Sequence, residues 1–278
     1  MGASMAMHLI RAGYKLFIFS RTREKARALE AAGAVWKSSP AEVAMSSAVV
    51  FSILGFPGDV ESVLLGRKGV IKGIRSGATV VDMTTSSPAL AVRVESSMKS
   101  KNVLSIDAPV SGGDIGARTR TLAVMCGGTK EGYDQVFPIL RVFASDVEWF
   151  GSAGAGQKTK ISNQILIASI MIGTVESLLY AERANLDLKK VITLLSNGAA
   201  SSWSLSQLGH RMVNEDWEPG FLIKHFIKDI GIALADASQM GLKLRGLELA
   251  SQFYKEAQKM NFEEKGTQAL FQVLRALN

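Results

Sequence analysis

Apolar and polar positions in the first 150 residues fall into two alternating periods. Short, nearly continuous apolar runs stand at Leu16–Phe19, Val49–Leu54, Thr79–Met83 and Val103–Ile106, each bounded by polar or glycine positions. Runs of that length suit strands of a parallel sheet covered on both faces. Between them, Arg23–Ala32, Pro40–Met45 and Pro88–Lys101 carry helical spacing. A repeat of strand, helix and strand predicts right-handed crossovers and a doubly wound sheet. The pattern changes near Gly151, after which strand periodicity almost vanishes. Ala155 to about Ala184 reads as one helix of roughly 30 residues, hence roughly 45 Å long. Further helices are predicted near 188–196, 202–214, 222–240 and 246–260. The expected organisation is an α/β domain over 1–152 and an all-helical domain over 153–278, built on a long interdomain helix.

The beginning of the chain departs from this scheme. MGASMAMHLIRAG has a helical face of Met5, Leu9 and Ile10, with Gly13 as a left-handed stop, and KLFIFS follows as a strand. In a dinucleotide-binding fold, such a helix follows a strand and a G-x-G-x-x-G turn, and its N-terminus receives the phosphates. Gly2 fits the third glycine of that turn. The first strand and first two glycines are not in this sequence, so Met1 reads as an internal methionine taken as a start. A doubly wound sheet lacking its first strand is expected, its two neighbours left with unpaired edges or forced together.

The tip of KLFIFS reads Ser20-Arg21-Thr22-Arg23, with no acidic residue until Glu24. An acid at such a tip would bind a free ribose 2′-hydroxyl and repel a 2′-phosphate. Arg21 can pair with a phosphate, and Ser20 or Thr22 can donate to it. The expected cofactor is therefore NADP rather than NAD.

Composition narrows the classes. Hydrophobic residues make up 47% of the chain, enough for a sizeable core. The net charge of +7 comes from no long basic run, which fits a phosphate-bearing ligand and gives no reason to expect nucleic acid. The single cysteine, Cys126, lies in the apolar run LAVMCGG and reads as a core residue. Polar residues Ser162, Asn163, Gln164, Ser169, Thr174 and Glu176 interrupt Ile161–Ala181, so a long buried helix is expected there, not a membrane span. His8, His210 and His225 are too scattered for a metal site. No signal or transit peptide is visible.

Four stretches carry candidate chemistry. IDAPVSGG ends a strand in a Ser-Gly-Gly turn, either a plain turn or a concavity of N–H groups suited to a carboxylate. VDMTTSSP ends another strand in hydroxyls before a helix-starting proline, which an N-cap would also explain. In GAGQKTKISNQ, Lys160 and Gln164 are four apart and Asn163 three from Lys160, so the three share a helical face, from which the lysine could face a cleft between the domains. Lys158 lies off that face and reads as solvated. FLIKHFIKDIGIALADA places Lys228 and Asp229 in an apolar helix, as a structural ion pair or part of a site.

Taken together and in order, these stretches resemble the β-hydroxyacid dehydrogenase family, which includes 3-hydroxyisobutyrate dehydrogenases and glyoxylate/succinic semialdehyde reductases. The resemblance spans essentially the whole chain. It implies hydride transfer between NADP(H) and a short hydroxy acid or semialdehyde acid, without a metal. Lys160 matches the catalytic lysine. Ser111, Gly112 and Gly113 match the substrate-carboxylate site, Asn163 and Gln164 the orienting amides, and Phe221 a wall of the substrate pocket. Thr85 matches a residue lining the nicotinamide and substrate cleft. Leu54 to Pro57 match a loop passing the cofactor ribose, and Lys228 with Asp229 a pair on the cofactor side. The long apolar helix leads to the expectation of a homo-oligomer, dimer or tetramer, and the expected location is the cytosol or the mitochondrial matrix. The other reading is a truncated or non-catalytic member serving as an interaction module. One departure is Arg120, where the family carries glycine. A left-handed turn there would cost roughly 1 kcal/mol or more and predicts a local rearrangement without loss of fold.

Overall fold

The computed structural model describes residues 1–278. The chain forms two compact units, Met1–Lys160 and Ile161–Asn278. Eight strands lie in the first: β1 (Phe17–Ile18), β2 (Val35–Trp36), β3 (Val49–Ser52), β4 (Thr79–Asp82), β5 (Leu104–Asp107), β6 (Val110–Ser111), β7 (Leu122–Gly128) and β8 (Ala144–Trp149). The helices among them are α1 (Gly2–Arg11), α2 (Arg27–Ala31), α3 (Pro40–Met45), α4 (Pro57–Leu65), α5 (Pro88–Lys99), α6 (Gly113–Thr119) and α7 (Lys130–Leu140).

The apolar runs became strands for the expected reason. All four residues of β4 are buried, as are the last three of β5. Consecutive residues Val80 and Val81 belong to different core clusters, so the sheet is covered on both faces. One cluster takes Met5 and Leu9 of α1 with Val136 and Leu140 of α7. The other takes Val60 and Leu64 of α4 with Leu90, Val94 and Met98 of α5.

The sheet is not continuous. β1 and β2 form a parallel pair of their own, while β3-β4-β5-β7-β6, with β8 on β7, form a six-stranded sheet. No strand joins β1 to β3, so the two are left apart and not forced together. The sheet is also mixed. β3, β4 and β5 run parallel, but β7 is antiparallel to β5 and β6. Periodicity in the sequence predicted parallel strands, and it carries no information on pairing direction; β6 and β7 are joined through the short α6, which reverses the chain.

Helix α8 (Ala155–Arg183) has 29 residues. It is long and apolar enough to cross a membrane, yet a stripe of it is the core of the second unit. Ala168, Met171, Val175 and Leu178 are fully buried against Phe226, Ile230, Leu247, Tyr254 and Phe271. Those partners come from α11 (Ile223–Gln239), α12 (Arg245–Lys259) and α13 (Leu270–Leu277). α9 (Leu188–Leu195) and a single π turn leading into α10 (His210–Val213) complete the unit.

Candidate active site

The residues expected on the nucleotide side lie on α1, the tip of β1 and the loop into α4. A Cβ on Gly2 would sit 2.9 Å from Ile53 Cγ2, so the start of α1 passes close to the residue that follows β3. After α1, Gly13 turns the chain with φ +89°. Ser20, Arg21 and Thr22 then follow β1 before a short 3-10 turn at Arg23–Ala26. Arg21 is largely exposed and pairs with Asp59 in the first turn of α4 at 3.0 Å. Arg23 is held elsewhere, 2.9 Å from Glu30 and over the Trp36 ring.

The loop Leu54 to Pro57 is joined to the end of β4. Leu54 N–H donates to Thr84 Oγ1 at 2.9 Å, and Pro57 opens α4. Asp82 Oδ1 accepts from Ser52 Oγ at 2.8 Å and from Thr84 N–H at 3.2 Å. Ser87 caps α5 by accepting from Leu90 N–H, and Pro88 takes the first helical position. The N-cap reading of VDMTTSSP therefore holds for Ser87, while Thr84 serves the strand end. Thr85, half-buried, stands between Thr84 and Ser86.

At the end of β6, Ser111 leads into two successive left-handed residues, Gly112 at φ +116° and Gly113 at φ +63°. Both conformations favour glycine, the residue found at each position. Arg120 also takes φ +64° and ends α6, and its Nε donates to Val142 O at 2.8 Å. Arginine itself takes the left-handed conformation, in place of the local rearrangement expected there.

Lys160 is buried, with 6% of its surface exposed, and Lys158 is exposed. The N-terminus of α8 is held by a residue that sequence reasoning did not single out. Asp107, at the end of β5, accepts Gly154 N–H on Oδ1 and Gln157 N–H on Oδ2, each at 2.8 Å. Burial pushes its carboxyl up to about 6, against the lowering by those two N–H groups, with the charge of Asp82 adding to the rise. Gln157, fully buried, accepts Ser86 N–H at 2.8 Å and donates to Thr84 O at 2.8 Å. The sequence offered one signal for these two, polar residues inside otherwise apolar or glycine-rich stretches. Cys126 is a core residue, and burial pushes its thiol up to about 12, which leaves it unreactive.

In the second unit, Asn163 Nδ2 donates to Gln164 Oε1 at 2.7 Å, and Gln164 Nε2 donates to Asp229 Oδ2 at 2.6 Å. Asp229 Oδ1 meets Lys228 Nζ at 2.8 Å. The lysine–aspartate pair is thus joined to the two amides of α8. Phe221 stacks on His225 with centroids 6.5 Å apart and meets Phe226 edge-on at 5.8 Å. Burial, then Lys228 and Lys224, hold His225 below its ordinary pKa.

Residues 1–151 match the family model described as the NAD binding domain of 6-phosphogluconate dehydrogenase. Residues 154–274 match that described as NAD-binding of NADP-dependent 3-hydroxyisobutyrate dehydrogenase. An Arabidopsis thaliana protein named probable 3-hydroxyisobutyrate dehydrogenase-like 1, mitochondrial, is 46% identical over the whole of this chain and 83% of its own length. The uncharacterized oxidoreductase YkwC of Bacillus subtilis is 42% identical over 98% of this chain and 95% of its own. The Mycobacterium tuberculosis 3-hydroxyisobutyrate dehydrogenase, solved with L-serine, superposes with a TM-score of 0.89 at 27% identity, covering 99% of this chain and 96% of that one.

Proposed function

Because this chain belongs to the β-hydroxyacid dehydrogenase family of NAD(P)-dependent oxidoreductases, we propose that it moves a hydride between NADP(H) and a short hydroxy acid or semialdehyde acid, with Lys160 as general acid and base. Candidate substrates are 3-hydroxyisobutyrate, glyoxylate and succinic semialdehyde. The observation that carries the reading is a buried lysine within the second turn of a helix anchored to the strand ends by Asp107 and Gln157. An amine removed from water is suited to proton transfer at a substrate oxygen.

The cofactor, when bound, supplies or accepts the hydride. In the direction of reduction, Lys160 gives its proton to the carbonyl oxygen as the hydride reaches the carbon. In oxidation it takes the proton back. The N–H groups of Ser111, Gly112 and Gly113 hold the substrate carboxylate. Thr85 lines the reacting end, Asn163 and Gln164 orient the substrate or the lysine, and Phe221 supplies an apolar wall. Gly2, Leu54, Pro57, Lys228 and Asp229 are proposed on the cofactor side. Arg21, with Ser20 and Thr22, selects NADP over NAD. A domain boundary at 152/153, a homo-oligomeric state and a cytosolic or mitochondrial location complete the proposal.

Lys160→Met tests the central claim. NADPH binding is expected to stay within twofold of wild type while turnover with all three substrates falls at least a hundredfold. Turnover near wild type overturns the lysine assignment. The second reading is a non-catalytic family member serving as a binding or interaction module. NADPH fluorescence that fails to saturate on wild-type protein selects that reading.

A further inference from the structure

We propose that Asp107 and Gln157 are positioning residues for the reaction, locking the first turn of α8 to the ends of β4 and β5 and so fixing Lys160 relative to Thr85. The proposal rests on the reading of Lys160 given above.

The first amides of a helix have no acceptor within the helix itself. At α8 one of them, Gln157 N–H, and the N–H of Gly154 just before the helix turn to a side chain 50 and 47 residues away in sequence. One carboxylate takes Gly154 N–H and Gln157 N–H, one on each oxygen. Charge-assisted bonds at a helix N-terminus are strong and directional. Gln157 then reaches in the opposite sense, to the C=O of Thr84 and the N–H of Ser86. Those two residues flank Thr85 on both sides. One amide side chain therefore fixes the segment that presents Thr85 and belongs to the turn that leads into Lys160.

The backbone packing makes the joint stiff. A Cβ on Gly156 would lie 2.3 Å from Met125 O and 2.5 Å from Asp107 O. A Cβ on Gly127 would lie 2.6 Å from Gly156 N and 2.7 Å from Asp107 Oδ1. The first turn of α8 thus rests directly on the backbone of β5 and β7, with Lys160 three residues beyond Gln157. Buried polar bonds that fix distance and direction suit a site in which displacements near 1 Å matter.

The test compares Asp107→Asn, Gln157→Leu and Lys160→Met in the full chain. In the first two, NADPH affinity and circular dichroism are expected within twofold of wild type. Their kcat falls roughly 10- to 100-fold, while KM stays within about threefold. With C4-deuterated NADPH, the isotope effect on kcat rises, because the chemical step has become slow. Hydrogen exchange at Gly154 to Gln157 quickens in Asp107→Asn. An inactive Lys160→Met beside wild-type kcat and isotope effect in both positioning variants overturns the proposal. So does loss of NADPH binding and helical signal in step with kcat, which would make the joint purely structural. An active Lys160→Met overturns the lysine reading instead, through a different variant.

Discussion

Arg21 faces two claims on one guanidinium. Its position at the strand tip suits a ribose 2′-phosphate, while in the folded chain it pairs with Asp59 at 3.0 Å. The arginine is exposed, and such surface pairs are worth about 0–1 kcal/mol, so a phosphate dianion displaces the carboxylate at little cost. Asp59→Asn is therefore expected to tighten NADPH binding up to about fivefold, by freeing Arg21 and removing a repelling charge, with NADH unaffected. Arg21→Ala is expected to weaken NADPH by about 10- to 100-fold and NADH by little. Equal effects on both cofactors, measured by fluorescence titration, would remove Arg21 from 2′-phosphate recognition. At this scale the sequence was legible where residue types repeat at fixed spacing, as with Lys160, Asn163 and Gln164 on one face of α8. It was silent on partners far along the chain. Nothing in the spacing joins Gln164 to Asp229, or Asp107 to the Gly154 N–H, because folding alone brings those groups within 3 Å.

At the scale of elements, the helix starts were legible because their chemistry is local. Ser87-Pro88 and Ser39-Pro40 show the cap and the first helical residue side by side. The start of α8 has no such local signal, since its carboxylate comes from β5. β2, β8 and the final α13 were not predicted; β2, with only Val35 and Trp36, is too short to set a period. The distant cap of α8 has a measurable consequence. The Asp107 carboxyl is lifted from an ordinary 3.8 to about 6 by burial. A carboxyl with a raised folded pKa favours the protonated folded state. Its full contribution is present below about pH 4 and is lost as pH rises through about 6, amounting to about 3 kcal/mol. Urea unfolding of wild type and Asp107→Asn between pH 4 and pH 7 checks this. Wild type should lose stability relative to the variant across that window, and a constant difference would show that the carboxyl titrates as it does in water.

At the scale of the whole molecule, the doubly wound sheet was legible because alternate strand residues feed two apolar clusters, and those runs are visible as sequence. The antiparallel β7 was not, since direction is set by the connection and not by the run. The same logic of faces applies to the second unit. Along α8 the exposed positions Ser162, Leu166, Ser169, Gly173, Glu176 and Tyr180 recur every three or four residues and form one stripe. Leu166 is 61% exposed and Tyr180 76%. Leu194 and Trp203, elsewhere on the same unit, are also exposed. With Leu166 and Tyr180 on it, this stripe is a candidate contact surface, for which a two-fold pairing of identical stripes is the simplest closed arrangement. Light scattering after gel filtration is expected to give a mass of two or more chains. Leu166→Lys with Tyr180→Glu should give single chains with unchanged circular dichroism, because neither side chain contributes to the buried core. A wild-type mass of one chain would show that this face meets only water.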